Sequence, residues 1–328
     1  MKNSQSLHLE VIEKAFVITR ILDAPVAMVY KAWTDAKQFS RWWGPHTFTN
    51  PTCEIDLRVG GKLLVLMASP EGEANPLRGE FLEIVPNEKI VLRMLMNDHT
   101  KDWHAIVNTA RGLSPDAAPA NLISKILFED VNGKTKLTIS QHFDHNTDRD
   151  AFLQLGATIG WGQSRAKMDS LLATLSTERE FVQLRTINAP RALVWEVWSN
   201  VEHVSKWWGP NGFRNTFTQF DLRTGGVWVY SMHGPDGTDY PNWMRFDKVV
   251  PSEHIVYTHG AFLDDPNAFH GEIKFSDTED HKTHIEMRVT LASGEIRNGM
   301  FEFGVFEGGD QTLGRLEAFL AEFNTDKV

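Results

Sequence analysis

Few residues in this chain stand at a spacing that does chemistry. His281, His284 and Glu286 fall close together, and a strand would place His284 and Glu286 on one face, as two ligands of a metal ion require. They adjoin the acidic stretch 277–280, which reads as an exposed hairpin, so no metal site is expected there, nor at His142 and His145. A general acid or base would need an imidazole or carboxylate facing a cavity with a shifted pKa. His259, His270 and Glu272 are candidates in the second half and His104 in the first, none of them singled out. Asp56 with Arg58, and Asp221 with Arg223, stand two apart on a strand face and read as structural ion pairs. The sequence shows no nucleophile elbow, phosphate loop or dinucleotide fingerprint. Its one cysteine, Cys53, excludes an intrachain disulfide framework and a cysteine metal cluster.

Composition narrows the classes further. With 328 residues the expectation is two domains. A net charge of −10 argues against a nucleic-acid partner. Residues 1–176 carry 19 basic and 20 acidic side chains, residues 177–328 carry 14 and 23, so the halves have diverged in charge. No run approaches the length of a membrane span and the N-terminus does not read as a secretory signal, so membrane insertion is not expected and a cytoplasmic location is.

The elements that must position any site appear twice. Arg41-Trp42-Trp43-Gly44-Pro45 returns as Lys206-Trp207-Trp208-Gly209-Pro210, an offset of 165. The same offset superposes Ala24-Pro25 on Ala189-Pro190, Trp33 on Trp198, and the Asp-Leu-Arg-x-Gly-Gly segments 56–61 and 221–226. Towards the ends the offset falls to 148, pairing Gly160 and Gln163 with Gly308 and Gln311. The first copy therefore holds about 17 extra residues, placed within 98–124 and read as a surface excursion. Tandem duplication gives domains at 10–176 and 178–326, joined without a long linker, and such a pair could bury a shared face as an intrachain pseudo-dimer.

Within each copy an alternating strand (15–22 or 181–187) precedes a short helix that Pro25 or Pro190 opens at its first position. A second short helix ends at Trp-Trp-Gly-Pro, and four to six strands follow. The Gly-Gly pairs, the segment 69–73 and Asp236-Gly237 mark their turns. A last helix (about 151–175 and 300–323) repeats apolar residues at helical spacing through Met168, Leu171, Leu172 and Leu175, and through Leu313, Leu316, Phe319 and Leu320. The fold class is α+β: in each domain a curved antiparallel sheet wraps around a long C-terminal helix, with two short helices after the first strand. Volume that the helix leaves unfilled becomes a pocket.

These motifs in series resemble the AHSA-type proteins, homologues of the activator of the heat-shock-protein-90 ATPase, within the START/SRPBCC (Bet v-like) helix-grip superfamily. The resemblance implies a cavity for lipids, polyketides or other hydrophobic molecules. Some members of the superfamily catalyse cyclisation or condensation in that cavity. The second copy departs from the pattern, with Gly308-Gly309-Asp310 where the first has Gly160-Trp161-Gly162.

Alternation after the Gly-Gly turn puts Trp228, Tyr230 and Met232 on one face, with Leu63, Val65 and Met67 as counterparts, so the second cavity is expected to be the more aromatic. Further wall candidates are Phe81, Trp103, His104 and Trp161 in the first copy, and Trp243, Phe246 and His259 in the second; Met168 and Phe303 are others on the final helices. Trp42, Trp43, Trp207 and Trp208 are candidates for the cavity mouths, since an indole offers an apolar face and one N–H donor. The favoured function is binding of a hydrophobic small molecule, without cofactor, in one or both cavities. The alternatives are a cofactor-independent cyclase, hydrolase or condensation enzyme, and a co-chaperone-like interaction module.

Overall fold

In the computed structural model, residues 8–69, 72 and 74–325 are described, so the expected turn at 69–73 lies partly outside them. The chain forms two compact units, Met1–Leu172 and Ala173–Val328. The first contains β1 (His8–Ile12), β2 (Ala15–Leu22), α1 (Val26–Thr34), α2 (Ala36–Trp42), β3 (Thr49–Ile55), β4 (Lys62–Ala68), β5 (Ala74–Val85) and β6 (Lys89–Leu95). It continues with α3 (Lys101–Ala110), β7 (Leu122–Val131), β8 (Lys134–Phe143), α4 (Asn146–Gln154) and α5 (Ala157–Leu175). The second repeats this as β9 (Glu180–Ile187), α6 (Arg191–Trp198), α7 (Val201–Trp207), β10 (Arg214–Phe220), β11 (Val227–His233), β12 (Asp239–Val250) and β13 (His254–Gly260). It closes with β14 (Phe269–Asp277), β15 (Thr283–Thr290), α8 (Gly294–Glu302) and α9 (Val305–Thr325).

Each sheet is antiparallel, in the order β1-β2-β8-β7-β6-β5-β4-β3 and β10-β11-β12-β13-β14-β15-β9. Bulges at matching places, Phe81/Glu83 and Phe246/Lys248, bend both sheets in the way an extra unpaired residue does. The concave faces receive the apolar stripes of α5 (Met168, Leu171, Leu172) and α9 (Leu313, Leu316, Leu320), all buried. Both units are helix-grip α+β folds.

Four local expectations are corrected. Pro25 and Pro190 have extended backbones and stand at the N-cap, one residue before the helices begin. Each last helix is broken, because Gly156 (φ +89°) and Gly304 (φ +91°) take the left-handed conformation that glycine adopts without steric cost. The insertion in the first unit carries α3, with Val107 and Asn108 buried, where a surface excursion was expected. Asp56–Arg58 and Asp221–Arg223 do pair, each at 2.9 Å, but on exposed loops after the strands. The added edge strand β1, exposed along its whole length, had no counterpart in the repeat.

Candidate functional site

The first unit holds a cavity of about 330 Å³ between its sheet and α5, at the small end of the range for ligand pockets. Met67 and Leu77 floor it from β4 and β5, with Met94 and Leu122 from β6 and β7. Trp103 and Val107 of α3 wall one side, so the insertion completes the site. Trp43 and Trp161 close another side, with their rings 5.4 Å apart and nearly perpendicular. Polar groups are few: His99, Gln141 and Ser164. Gln141 Nε2 donates to Ser124 Oγ at 3.3 Å and Ser164 Oγ to the Gly160 carbonyl at 2.9 Å. His99 Nδ1 is buried without a partner. Burial first, and then the nearby His104, hold the His99 imidazole below its usual pKa.

Of the expected wall residues, Met67, Trp103, Trp161 and Trp43 line this cavity. Leu63, Val65 and Phe81 face the same way but lie packed in the core. His104 is set beside Trp103, outside the wall, with its Nε2 buried and unpartnered, while His99 reaches the cavity. His99 escaped notice because the whole stretch around it read as an excursion. Met94 was findable, since it alternates with Leu92 on the inner face of β6.

The paired tryptophans divide their work. Trp42 and Trp207 are not at a mouth: they are 1% and 0% exposed, and Trp42 Nε1 donates to the Ala32 carbonyl at 2.8 Å. Burying a side chain of this size supports the fold by roughly 3 kcal/mol. The second member of each pair leaves the helix, because Trp43 and Trp208 are C-caps with extended backbones, and Gly44 (φ +88°) and Gly209 (φ +93°) then turn the chain. One cation on each final helix gathers the carbonyls of this turn. Lys167 Nζ donates to Phe48 O at 3.1 Å, and Arg315 donates to Gly209 O and Pro210 O at 2.8 Å and to Lys206 O at 2.7 Å.

In the second unit the corresponding residues close on one another. Trp208 Nε1 donates to the Tyr230 hydroxyl at 3.0 Å, and Phe217 stacks on Tyr230 at 4.9 Å. Trp228, Tyr230 and Phe246 are buried, with Met232 packed against the same cluster. Tyr257 lies over Gly271, where an added Cβ would come within 2.0 Å of its ring. His259 Nε2 meets Asn242 Oδ1 at 2.9 Å, and burial drives its pKa down to about 4. Trp243 is a correction: β12 pairs Trp228 with Met244 and Val229 with Trp243, so Trp243 takes the outer face. His270 and Glu272 also lie outside, near Thr258 and against His254 respectively. Phe303, at the helix break, is 86% exposed. Glu286 is engaged by Arg288 at 2.5 Å, and His142 and His145 are exposed.

A buried ion pair that the sequence reading overlooked also repeats, with different surroundings. Arg20 on β2 pairs with Asp169 on α5, and Arg185 on β9 pairs with both Asp310 (2.7 Å) and Glu317 (3.1 Å) on α9.

A family model described as Activator of Hsp90 ATPase homolog 1-like protein matches residues 23–173 and again 188–321. Comparison with curated proteins gave no match. Among solved structures, one from Arthrobacter aurescens is 27% identical, covers 44% of this chain and 87% of its own, and has a TM-score of 0.41. One from Mycobacterium smegmatis is 24% identical over 44% of this chain and 93% of its own, also at 0.41. A di-domain ARO/CYC protein of a biosynthetic pathway is 14% identical over 93% of this chain and 98% of its own, with a TM-score of 0.38. Among the described residues no helix is long and apolar enough to cross a membrane. The two matched segments span most of the chain, which belongs to the Activator of Hsp90 ATPase homolog 1-like protein family and carries its domain twice.

Proposed function

We propose that this protein binds a hydrophobic small molecule (a lipid, polyketide or aromatic compound) in the cavity of its first domain, taken as 10–176, while the second, 178–326, serves as a packed scaffold. The observation that carries this reading is the contrast at matched positions. Leu77 and Met94 leave space in the first domain, where Asn242 and His259 bond to each other in the second. An apolar wall with a few polar groups suits a ligand that is mostly hydrocarbon.

The test is native mass spectrometry of freshly purified protein beside the variant Gly160→Leu. Gly160 lines the cavity and a Cβ there meets nothing within 4 Å, so a leucine takes up part of the cavity volume, and it replaces a poor helix former. The expected result is extra mass on the wild type that denaturation removes and that G160L lacks. Equal extra mass on both proteins would overturn the assignment to this cavity.

A further inference from the structure

Behind Trp161 the first unit encloses a second hollow of about 20 Å³, room for a single water-sized group. Its walls are mostly apolar, from Ile18, Leu137 and Ile139 on the sheet and Trp33, Trp42 and Met168 elsewhere, yet Arg20 and Arg165 both line it. Arg20 is 5% exposed. Its Nη2 reaches Asp169, but its Nε and Nη1 are buried with no hydrogen-bond partner, and so is Nε of Arg165. Buried N–H donors of a charged group left unmade are costly, so native proteins seldom keep them without something to bind. Arg165 and Asp169 stand four apart on one face of α5, so two cations line the hollow with one carboxylate beside them.

The second unit shows the same frame with both terminal nitrogens met: Arg185 Nη1 and Nη2 each reach a carboxylate, although its Nε is buried without a partner as that of Arg20 is. Asp310 stands at the position of Gly162 and takes Arg185 Nη2, and Leu313 stands at the position of Arg165. The place of Trp161 is Gly309, where an added Cβ would come within 3.1 Å of the Gln183 side chain. In the first unit, then, the second carboxylate is missing and an extra arginine is present. Trp161 lines both the hollow and the main cavity, and is the shared wall between them. Gly160 and Gly162 flank it with open space where their Cβ atoms would be.

We infer that the ligand of the first domain carries one anionic group, a carboxylate or an enolate, one oxygen of which enters the water-sized hollow past Trp161 and is held by Arg20 and Arg165 while its apolar body fills the main cavity. This rests on the cavity reading above. The anion replaces the carboxylate that Asp310 supplies in the second unit, and a planar guanidinium presents paired donors suited to it. Burial, and then the charge of Arg20, pull the Arg165 guanidinium down to about 10 against the opposing pull of Asp169.

The probes are decanoate and 1-decanol, titrated into the full chain at pH 8 by quenching of tryptophan fluorescence in chloride-free buffer. At that pH His99 is neutral, so its charge does not enter the comparison. Decanoate is expected to bind the wild type at least tenfold more tightly than decanol. Arg165→Leu, which copies the second unit, should remove that preference and leave decanol affinity unchanged. Should neither probe bind the wild type, the cavity reading fails and this inference with it. Equal affinities for the two probes would leave the cavity reading standing and overturn the anion site, as would a decanoate preference that survives in R165L. If bromide alone raises the wild-type melting temperature but not that of R165L, while the probes bind equally, the hollow takes an inorganic ion and the acidic ligand is ruled out.

Discussion

The two units carry one frame and opposite interiors. In the first, a buried arginine on the leading strand faces one carboxylate and a second arginine, with its cavity open beside them. In the second, the equivalent arginine faces two carboxylates, and aromatic side chains meet across the place of the cavity. The bulges, the helix pair and the Trp-Trp-Gly-Pro turn stand at matching positions in both; the residues that set interior volume and interior charge differ. After duplication a frame of this kind can keep one copy for a ligand and let the other fill, because filling the second interior costs nothing that the first needs.

The comparison breaks most visibly at the ion pairs. Arg185→Leu should destabilise the second unit by about 3–5 kcal/mol, since it removes the cation that two carboxylates on α9 face. Arg165→Leu should change the first unit by less than about 0.5 kcal/mol, or stabilise it, since a like charge beside Arg20 is lost. Two linked domains do not unfold as one transition, so the readout is amide hydrogen exchange of β9 against β2. A large loss from R165L would show that the two interiors are not electrostatic opposites.

Next in size is the hydroxyl network. Tyr230→Val gives the second unit the residue of the first, Val65, and leaves Trp208 Nε1 without its acceptor. The expected cost is about 3 kcal/mol, and a ligand-sized space should open, visible as new binding of 1-decanol to the G160L background. No new binding would mean that Phe217 and His259 refill the site.

The sequence made the frame legible and the interior illegible, for a physical reason. Frame positions repeat because backbone geometry demands them: glycine at Gly44 and Gly209 for a left-handed turn, tryptophan at Trp42 and Trp207 for a large buried volume. Strand alternation then placed Met67 and Tyr230 on inner faces correctly. It misplaced Trp243, because its register against β11 is set by pairing and cannot be read within β12. Gly156 sat inside an apolar helical pattern, and an isolated glycine there is usually tolerated, so the break stayed hidden. His99 and α3 were lost because an insertion without a partner in the other copy had no repeat to interpret it. The arginine pairs were equally readable in principle, since Arg20 and Arg185 obey the 165 offset and Asp169 and Glu317 the 148 offset.

Histidine 259 sharpens the contrast further. Its folded-state pKa lies at about 4 against an ordinary 6.5, so the unfolded chain binds the proton first. The second unit is therefore expected to hold its full stability above pH 6.5 and to lose roughly 2 kcal/mol as pH falls towards 4. His259→Met, which installs the first unit's Met94, should flatten that slope in hydrogen exchange of β13. An unchanged slope would assign the loss to another group.

The smallest effect concerns the phrase that occurs twice. Its turn exposes several carbonyls towards the final helix, and each unit meets them with a cation at the same position. Lys167 is a point charge on a flexible stem, whereas Arg315 spreads planar donors over the carbonyls of Lys206, Gly209 and Pro210. Arg315→Lys should then cost about 1 kcal/mol, from bonds that one ammonium cannot make at once. Lys167→Arg should be neutral or slightly stabilising, measured by the denaturant midpoint of each unit's exchange-protected core. If R315K is silent, the carbonyls are content with water, and the tandem tryptophans hold the turn by packing alone.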